Sequence, residues 1–273
     1  MNSDTPRRDI GEYRKVVIDL FAGPGGWSEG LRLLGDPTII EIGIEHDKAA
    51  CATRAAAGHL TIRADVAKYP PPRLGSVWGL IASPPCPTFS SAGKGAGIED
   101  LPHLHRFIAH FGRDGWVDPW AFHQWEDPRT PLVLEPLRWA DAVRPVWIAL
   151  EQVPPCLPLW QHMASVWCER GYNTWAGVLN AADYGVPQTR KRAFSMAHRH
   201  RPVHAPETTH EQDPQPSLFG ELLPWVSMAD ALGWGATQRP CVTVTGGGTA
   251  TGGAEPIAHL KRFMRTAGSE VSA

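Results

Sequence analysis

Cys86 stands between prolines in the run Pro84-Pro-Cys-Pro-Thr-Phe-Ser90. Proline fixes its own φ and bars its predecessor from helical backbone, so this cysteine belongs to a rigid, extended loop. A lone cysteine is otherwise a small buried hydrophobe, but a thiol presented from a fixed loop can act as a nucleophile. A free thiol is mostly protonated near neutral pH, so such chemistry needs positive charge nearby. Gln188-Thr-Arg-Lys-Arg192 offers it, with Arg190 and Arg192 alternating outward from Gln188. Glu151, in Glu151-Gln-Val153 at a strand end, can donate a proton if burial raises its pKa.

A second set of residues fits a ligand. Asp19-Leu-Phe-Ala-Gly-Pro-Gly-Gly26 lies between a predicted strand and a predicted helix, where an open α/β sheet binds ligands. Gly23, Gly25 and Gly26 let backbone amides approach a ligand closely. A dinucleotide fingerprint would need glycine at position 28, which is Ser28, and no Gly-Lys-Ser/Thr follows for a phosphate loop. Glu45 ends the next strand about twenty residues on, a placement that suits ribose hydroxyls. Asp65, after the third strand, is placed for an exocyclic amine.

The elements that must position these residues alternate. Strands are predicted at residues 16–21, 39–44, 60–63, 79–82, 146–150, 175–179 and 193–197. Helices are predicted at 27–34, 48–57, 131–143 and 158–170. Such alternation implies a parallel sheet wound on both faces. Beyond residue 198 the chain turns proline- and glycine-rich, with one short helix expected at 228–232 and one strand-like piece at 241–245. The expected division is a polar leader at 1–14, a catalytic domain at 15–197, a small irregular domain at 198–245 and a tail at 246–273.

With 273 residues, 42% of them hydrophobic, the chain can bury a large core. Its longest apolar runs are too short to span a bilayer, and its first residues lack a signal peptide's apolar centre. A cytoplasmic protein with no membrane partner is expected. Five widely spaced cysteines suggest neither a disulfide framework nor a zinc site, and no metal is expected. The net charge of −2 argues mildly against nucleic acid. Yet residues 184–206 hold five Lys or Arg and no acid, and a local basic strip can bind a phosphate backbone.

In order and spacing these motifs resemble those of the cytosine-5 DNA methyltransferases over roughly residues 14–245. The resemblance implies an α/β, doubly wound, mostly parallel Rossmann-like methyltransferase sheet with a small irregular second domain. It implies S-adenosyl-L-methionine as cofactor, held by Phe21, Gly23, Gly25, Gly26, Glu45, His46, Asp65 and Pro85. Its catalytic residues would be Cys86, Glu151, Arg190 and Arg192, acting on a cytosine flipped out of double-stranded DNA. Ser90, Gln188, Arg199, Arg201 and Arg239 would contact that DNA.

Two departures stand out. Gln152 replaces the family's Asn, which should affect loop support more than chemistry, and Pro87 replaces a common Gln. Arg239-Pro-Cys-Val-Thr243 resembles a segment supporting the recognition domain, but no Gly-Asn-x-Val helix follows. On that comparison the chain is expected to be short at its C-terminus, with a second chain or residues 254–264 completing the cofactor pocket. A cognate restriction endonuclease is a further partner of such enzymes. A catalytically silent DNA-binding relative and a small-molecule methyltransferase are the competing readings.

Overall fold

The computed structural model describes residues 14–72, 77–85, 88–89, 96–215, 222–233 and 240–242. Strands β1 (Lys15–Leu20), β2 (Ile39–Glu45), β3 (Leu60–Arg63), β4 (Gly79–Ala82) and β5 (Trp147–Gln152) are joined to β6 (Asn173–Asn180) and to β8 (Lys191–His198), which follows the two-residue β7 (Gln188–Thr189). The seven-stranded sheet has the order β3-β2-β1-β4-β5-β8-β6. Pairings from β3 through β5 are all parallel, with Asp19 beside Gly43 on one side and Ile81 on the other. The sheet is not parallel throughout, because β8 runs antiparallel to both β5 and β6. A parallel return requires a crossover of a dozen or more residues. The connection from β6 to β8 is shorter and is used up by a 3-10 turn at Ala181–Tyr184 and by β7.

Side chains alternate across the strands. Ile18, Leu20, Leu80, Ala82, Ile148 and Leu150 join the main core, and Val17, Ile81 and Ala149 form a smaller cluster with Trp27, Leu31, Trp78 and Trp147. Helix α1 (Gly26–Leu33), which carries Trp27 and Leu31, thus serves the smaller face. Helix α2 (Lys48–Ala56) is capped by Asp47, whose side chain accepts from the Ala50 amide. The main face is covered by α4 (Leu101–Asp114), α6 (Glu135–Val143) and α7 (Leu157–Glu169), with the one-turn helices α3 (Ala96–Glu99) and α5 (Pro119–Phe122) on either side of α4. The single helix expected over 131–143 is instead a 3-10 turn, Thr130–Leu134, followed by α6. Pro136 explains the break, since it lacks the N–H that would continue a helix through that point.

Past β8, β9 (His210–Glu211) pairs with β10 (Leu223–Pro224), and α8 (Met228–Leu232) ends the described part of that segment. It is tied back by Thr209 N–H to Asp183 O and by the Trp225 indole to Asp183 Oδ1. Of the expected strand at 241–245, β11 (Cys241–Val242) is described and pairs with β7. Of the expected leader only Arg14 is described, and the tail at 246–273 lies outside the described residues. Among the described residues no helix is long and apolar enough to cross a membrane.

A buried polar knot stitches β2, β3, α1 and α2 together. Arg54 is fully buried and donates to Glu41 Oε1 (2.7 Å), Ser28 Oγ (2.8 Å) and Thr61 Oγ1 (2.9 Å). Its guanidinium lies on Gly43, where a Cβ would come within 2.2 Å of Nη2, so only glycine fits. Asp19 is also fully buried, and among the described residues neither of its oxygens has a hydrogen-bond partner. Burial, reinforced by Glu41 and Glu45 and opposed by Arg54, holds its carboxyl well above the usual range.

The folded chain therefore keeps a proton on Asp19 at pH values where an unfolded aspartate, titrating near 3.9, has lost it. The stability that this proton contributes is complete below about pH 4 and is lost as pH rises towards the folded titration point. Asp19→Asn should raise the Tm at pH 7. Its advantage should grow by about 1.4 kcal/mol per pH unit from about pH 4 upward until the folded group titrates. Thermal denaturation across pH 4–8 checks this, and an advantage that grew on acidification would contradict a neutral Asp19.

Candidate active site

The carboxyl ends of β1, β2, β3, β4 and β5 meet along one edge of the sheet. After β1 the backbone turns with positive φ at Phe21 (56°), Gly23 (53°) and Gly25 (108°). Gly25 is the N-cap of α1, and a side chain there would also crowd His59. The left-handed backbone at Phe21 is uncommon for a bulky residue, and this residue lines two cavities.

The first cavity, about 660 Å³, is lined by Phe21, Glu45, His46, Asp65, Pro85 and Glu135 among others. Glu45 is 7% exposed. Its Oε2 accepts from the Gly23 amide (2.9 Å) and its Oε1 from the Asp47 amide (2.7 Å). A carboxylate oxygen has two lone pairs, so Oε2 still has one to offer a ligand. His46, largely exposed, places Nδ1 3.2 Å from Glu45 Oε1. Asp65 Oδ1 accepts from the Ala67 amide at 3.0 Å.

The turn holding Asp65 is gripped by a residue that the sequence reading missed. Arg138 on α6 donates to the carbonyls of Val66 (2.6 Å) and Tyr69 (3.3 Å) while pairing with Glu135 (2.7 Å). Burial pushes the Glu135 carboxyl up to about 7 against the pull of Arg138. The signal available for this pair was its i,i+3 acid–base spacing on an amphipathic helix.

The second cavity, about 600 Å³, is lined by Phe21, Gly23, Gly26, Trp27, Ser83, Glu151, Arg190, Arg192 and Phe194 among others. Glu151 lies in β5 opposite Phe194 of β8. Arg192 Nε is 2.8 Å from Glu151 Oε1 and Arg190 Nη2 is 3.8 Å from the same oxygen. Burial raises the Glu151 pKa, and Arg192 and Arg190 oppose the rise. The antiparallel β8 thus brings both predicted arginines to the predicted acid. Trp27 donates to Ser83 Oγ at 2.9 Å and meets Phe194 edge-on at 6.2 Å, closing the wall between α1 and β8.

Cys86, Pro87, Ser90 and Arg239 lie outside the described residues. The loop that carries Cys86 is nonetheless anchored on both sides. Gln152, 1% exposed, donates to Pro84 O (2.8 Å) and accepts from the Val153 amide (2.7 Å). This is the loop-supporting contact expected of that position. On the other side Thr88 and Phe89 are buried and Thr88 O accepts from Gly97 N.

The basic strip read at 184–206 runs along β8 and past both of its ends. Arg190 and Arg192 enter β8 at the cavity, whereas Arg199 and Arg201 follow its far end, roughly 23 Å away at about 3.3 Å per residue. Arg199 there donates to Pro145 O (3.1 Å) and stacks over Tyr172 (4.5 Å). Arg201 is exposed beside it. Gln188 sits on the cavity side, in β7. Among the described residues no group of three or more His, Cys, Asp or Glu could hold a metal ion.

A sheet of this order, with ligand cavities around a glycine turn at its carboxyl edge, defines a Rossmann-like methyltransferase fold. Solved structures with the same fold include a putative DNA modification methyltransferase encoded within an E. coli prophage (TM-score 0.50, 20% identity, 80% of this chain and 54% of that one) and a mutant of Spodoptera frugiperda DNMT2 (TM-score 0.50, 17% identity, 77% and 57%). The sequence model for the C-5 cytosine-specific DNA methylases matches residues 16–104 and 122–230, and the chain belongs to that family. It is 29% identical over 250 residues to the Type II methyltransferase M.AquIA of Picosynechococcus sp., covering 80% of this chain and 88% of that one. It is 30% identical over 192 residues to M.DdeI of Desulfomicrobium norvegicum, covering 65% and 39%. The chain thus spans well under two thirds of M.DdeI and of both solved structures.

Gln152→Ala removes a buried donor and leaves Pro84 O unpaired, which should cost about 1–3 kcal/mol in denaturant unfolding. Gln152→Glu, which loses the donor but keeps the shape, should cost at least as much at pH 8. A cost within about 0.5 kcal/mol for both would show that Pro84 needs no such support.

Proposed function

We propose that the chain transfers a methyl group from S-adenosylmethionine to carbon 5 of a cytosine flipped out of double-stranded DNA. Cys86 serves as nucleophile. The observation carrying this reading is that Phe21 lines both cavities, one bearing Glu45 and Asp65, the other Glu151 and its two arginines. A methyl donor in the first cavity and a base in the second would meet at that residue.

The first cavity fits the cofactor. The spare acceptor capacity of Glu45 Oε2 suits a ribose hydroxyl, and Asp65 suits an exocyclic amine. When bound, S-adenosylmethionine supplies an electrophilic methyl group. The remaining steps belong to the chain's residues. The Cys86 thiolate adds to carbon 6, forming an S–C6 bond and moving the C5=C6 electron pair to carbon 5. Glu151, kept protonated to higher pH than an ordinary glutamate by its burial, places a proton at nitrogen 3 as charge builds there. Arg192 orients that carboxyl and Arg190 lowers the cost of negative charge beside it. Once carbon 5 holds the methyl group, loss of its proton to solvent expels the thiolate and restores the ring.

Incubation with S-adenosylmethionine carrying a labelled methyl group should label duplex DNA at cytosine carbon 5. Cys86→Ala should abolish the labelling, and only the wild type should become covalently attached to DNA containing 5-fluorocytosine. Turnover by the alanine variant would remove Cys86 from the mechanism. Labelling of free nucleoside in place of DNA would favour a small-molecule enzyme.

Glu151→Gln should lower the single-turnover rate by roughly a hundred- to ten-thousand-fold, with DNA affinity little changed. Because Glu151 must be protonated to act, the wild-type rate should fall with a single ionisation as pH rises past its raised pKa. The glutamine variant should lack that limb. Glu45→Ala should weaken cofactor binding by about 1–3 kcal/mol in calorimetry, and equal affinity would exclude the ribose contact.

A further inference from the structure

Residues 105–121 lie outside both stretches matched by the family model, yet they are built into the fold. They hold most of α4, whose Phe107, Ile108 and Phe111 are fully buried in the main core. The chain beyond α4 is cross-tied at every turn. Trp116 meets Phe107 and Phe111 edge-on, at 5.3 and 6.3 Å. Asp118 caps α5 by accepting from the Trp120 amide at 3.0 Å. The Trp120 indole N–H donates to Pro128 O (3.1 Å) and that of Trp125 donates to Pro119 O (2.7 Å).

These bonds occupy the one polar atom of the Trp120 and Trp125 indoles and fix those rings before any ligand arrives. The knot delivers Trp116 and Trp120 to the wall of the 660 Å³ cavity that also holds Phe21, Glu45 and Asp65. Trp116 is committed to the core, but Trp120 remains 37% exposed although it is anchored. An indole anchored at the wall of a cavity that also holds Asp65 offers a stacking surface for a purine. Its ordering cost has already been met by folding.

We propose that Trp120, from this segment outside the family match, is a cofactor-binding residue that stacks on the adenine of S-adenosylmethionine. The assignment rests on the functional reading above. It makes cofactor affinity in this chain depend on a segment beyond the shared motifs.

The test is calorimetric titration of S-adenosylmethionine, and of methylthioadenosine, which lacks the amino-acid portion, into wild type, Trp120→Ala and Trp120→Phe. Circular dichroism confirms that each variant is folded. Loss of a base–aromatic stack should weaken both ligands about five- to a hundredfold in the alanine variant. Phenylalanine, which retains an aromatic face, should restore most of that loss. An alanine variant that bound both ligands as tightly as wild type would overturn the assignment. So would a loss confined to S-adenosylmethionine, since the contact would then not be to the purine. A wild type that bound neither ligand would overturn the functional reading itself, and the assignment with it.

Discussion

The Glu45 carboxylate is the constraint on which the first cavity's wall depends. It ends β2 and reaches across to the turn after β1, with one oxygen on the Gly23 amide and the other on the Asp47 amide. Two connections that would otherwise be independent loops become one shaped wall. Charge-assisted bonds to backbone amides are among the stronger ones available. Here they are made from a nearly buried group, where competition from water is weak. The same residue can orient a ligand only because these bonds leave it spare acceptor capacity.

The chemical edge follows from strand order. Placing β8 between β5 and β6 sets Phe194 opposite Glu151 and carries Arg190 and Arg192 to the end of β5. Burial favours a neutral Glu151, and the arginines favour the charged form. Opposed pulls of this kind suit the proton-donor role proposed for it. Gln152, the next residue, points away into the structure and supports Pro84. Two adjacent side chains on one strand thus divide the work, because alternation sends them to opposite faces.

The buried Arg54–Glu41 pair and the unpartnered Asp19 lie beneath this edge. A buried ion pair is weak support for stability by itself. Its geometric effect is clearer. Arg54 reaches Ser28 on α1, Thr61 on β3 and Glu41 on β2. It thereby fixes how α1, and with it the glycine turn, sits on the strands.

Much of the fold was legible in advance because it is written in local periods. Strands β3 and β4 were placed to the residue and the other sheet strands to within a few positions. Apolar alternation and glycine or proline punctuation act over short distances. Helix α4 was missed although Leu104, Phe107, Ile108 and Phe111 keep a helical spacing, a pattern that the surrounding histidines and arginines obscured. Residue types, spacing and the family resemblance together singled out Glu45, Asp65, Glu151, Arg190 and Arg192, since each ends or flanks an element at the carboxyl edge of the sheet. Sequence could not say that β8 would insert between β5 and β6, or that Trp120 would line the cavity that holds Glu45 and Asp65. Those outcomes depend on which distant segments meet, and proximity between segments far apart in the chain is set by the assembled core, not by any local pattern.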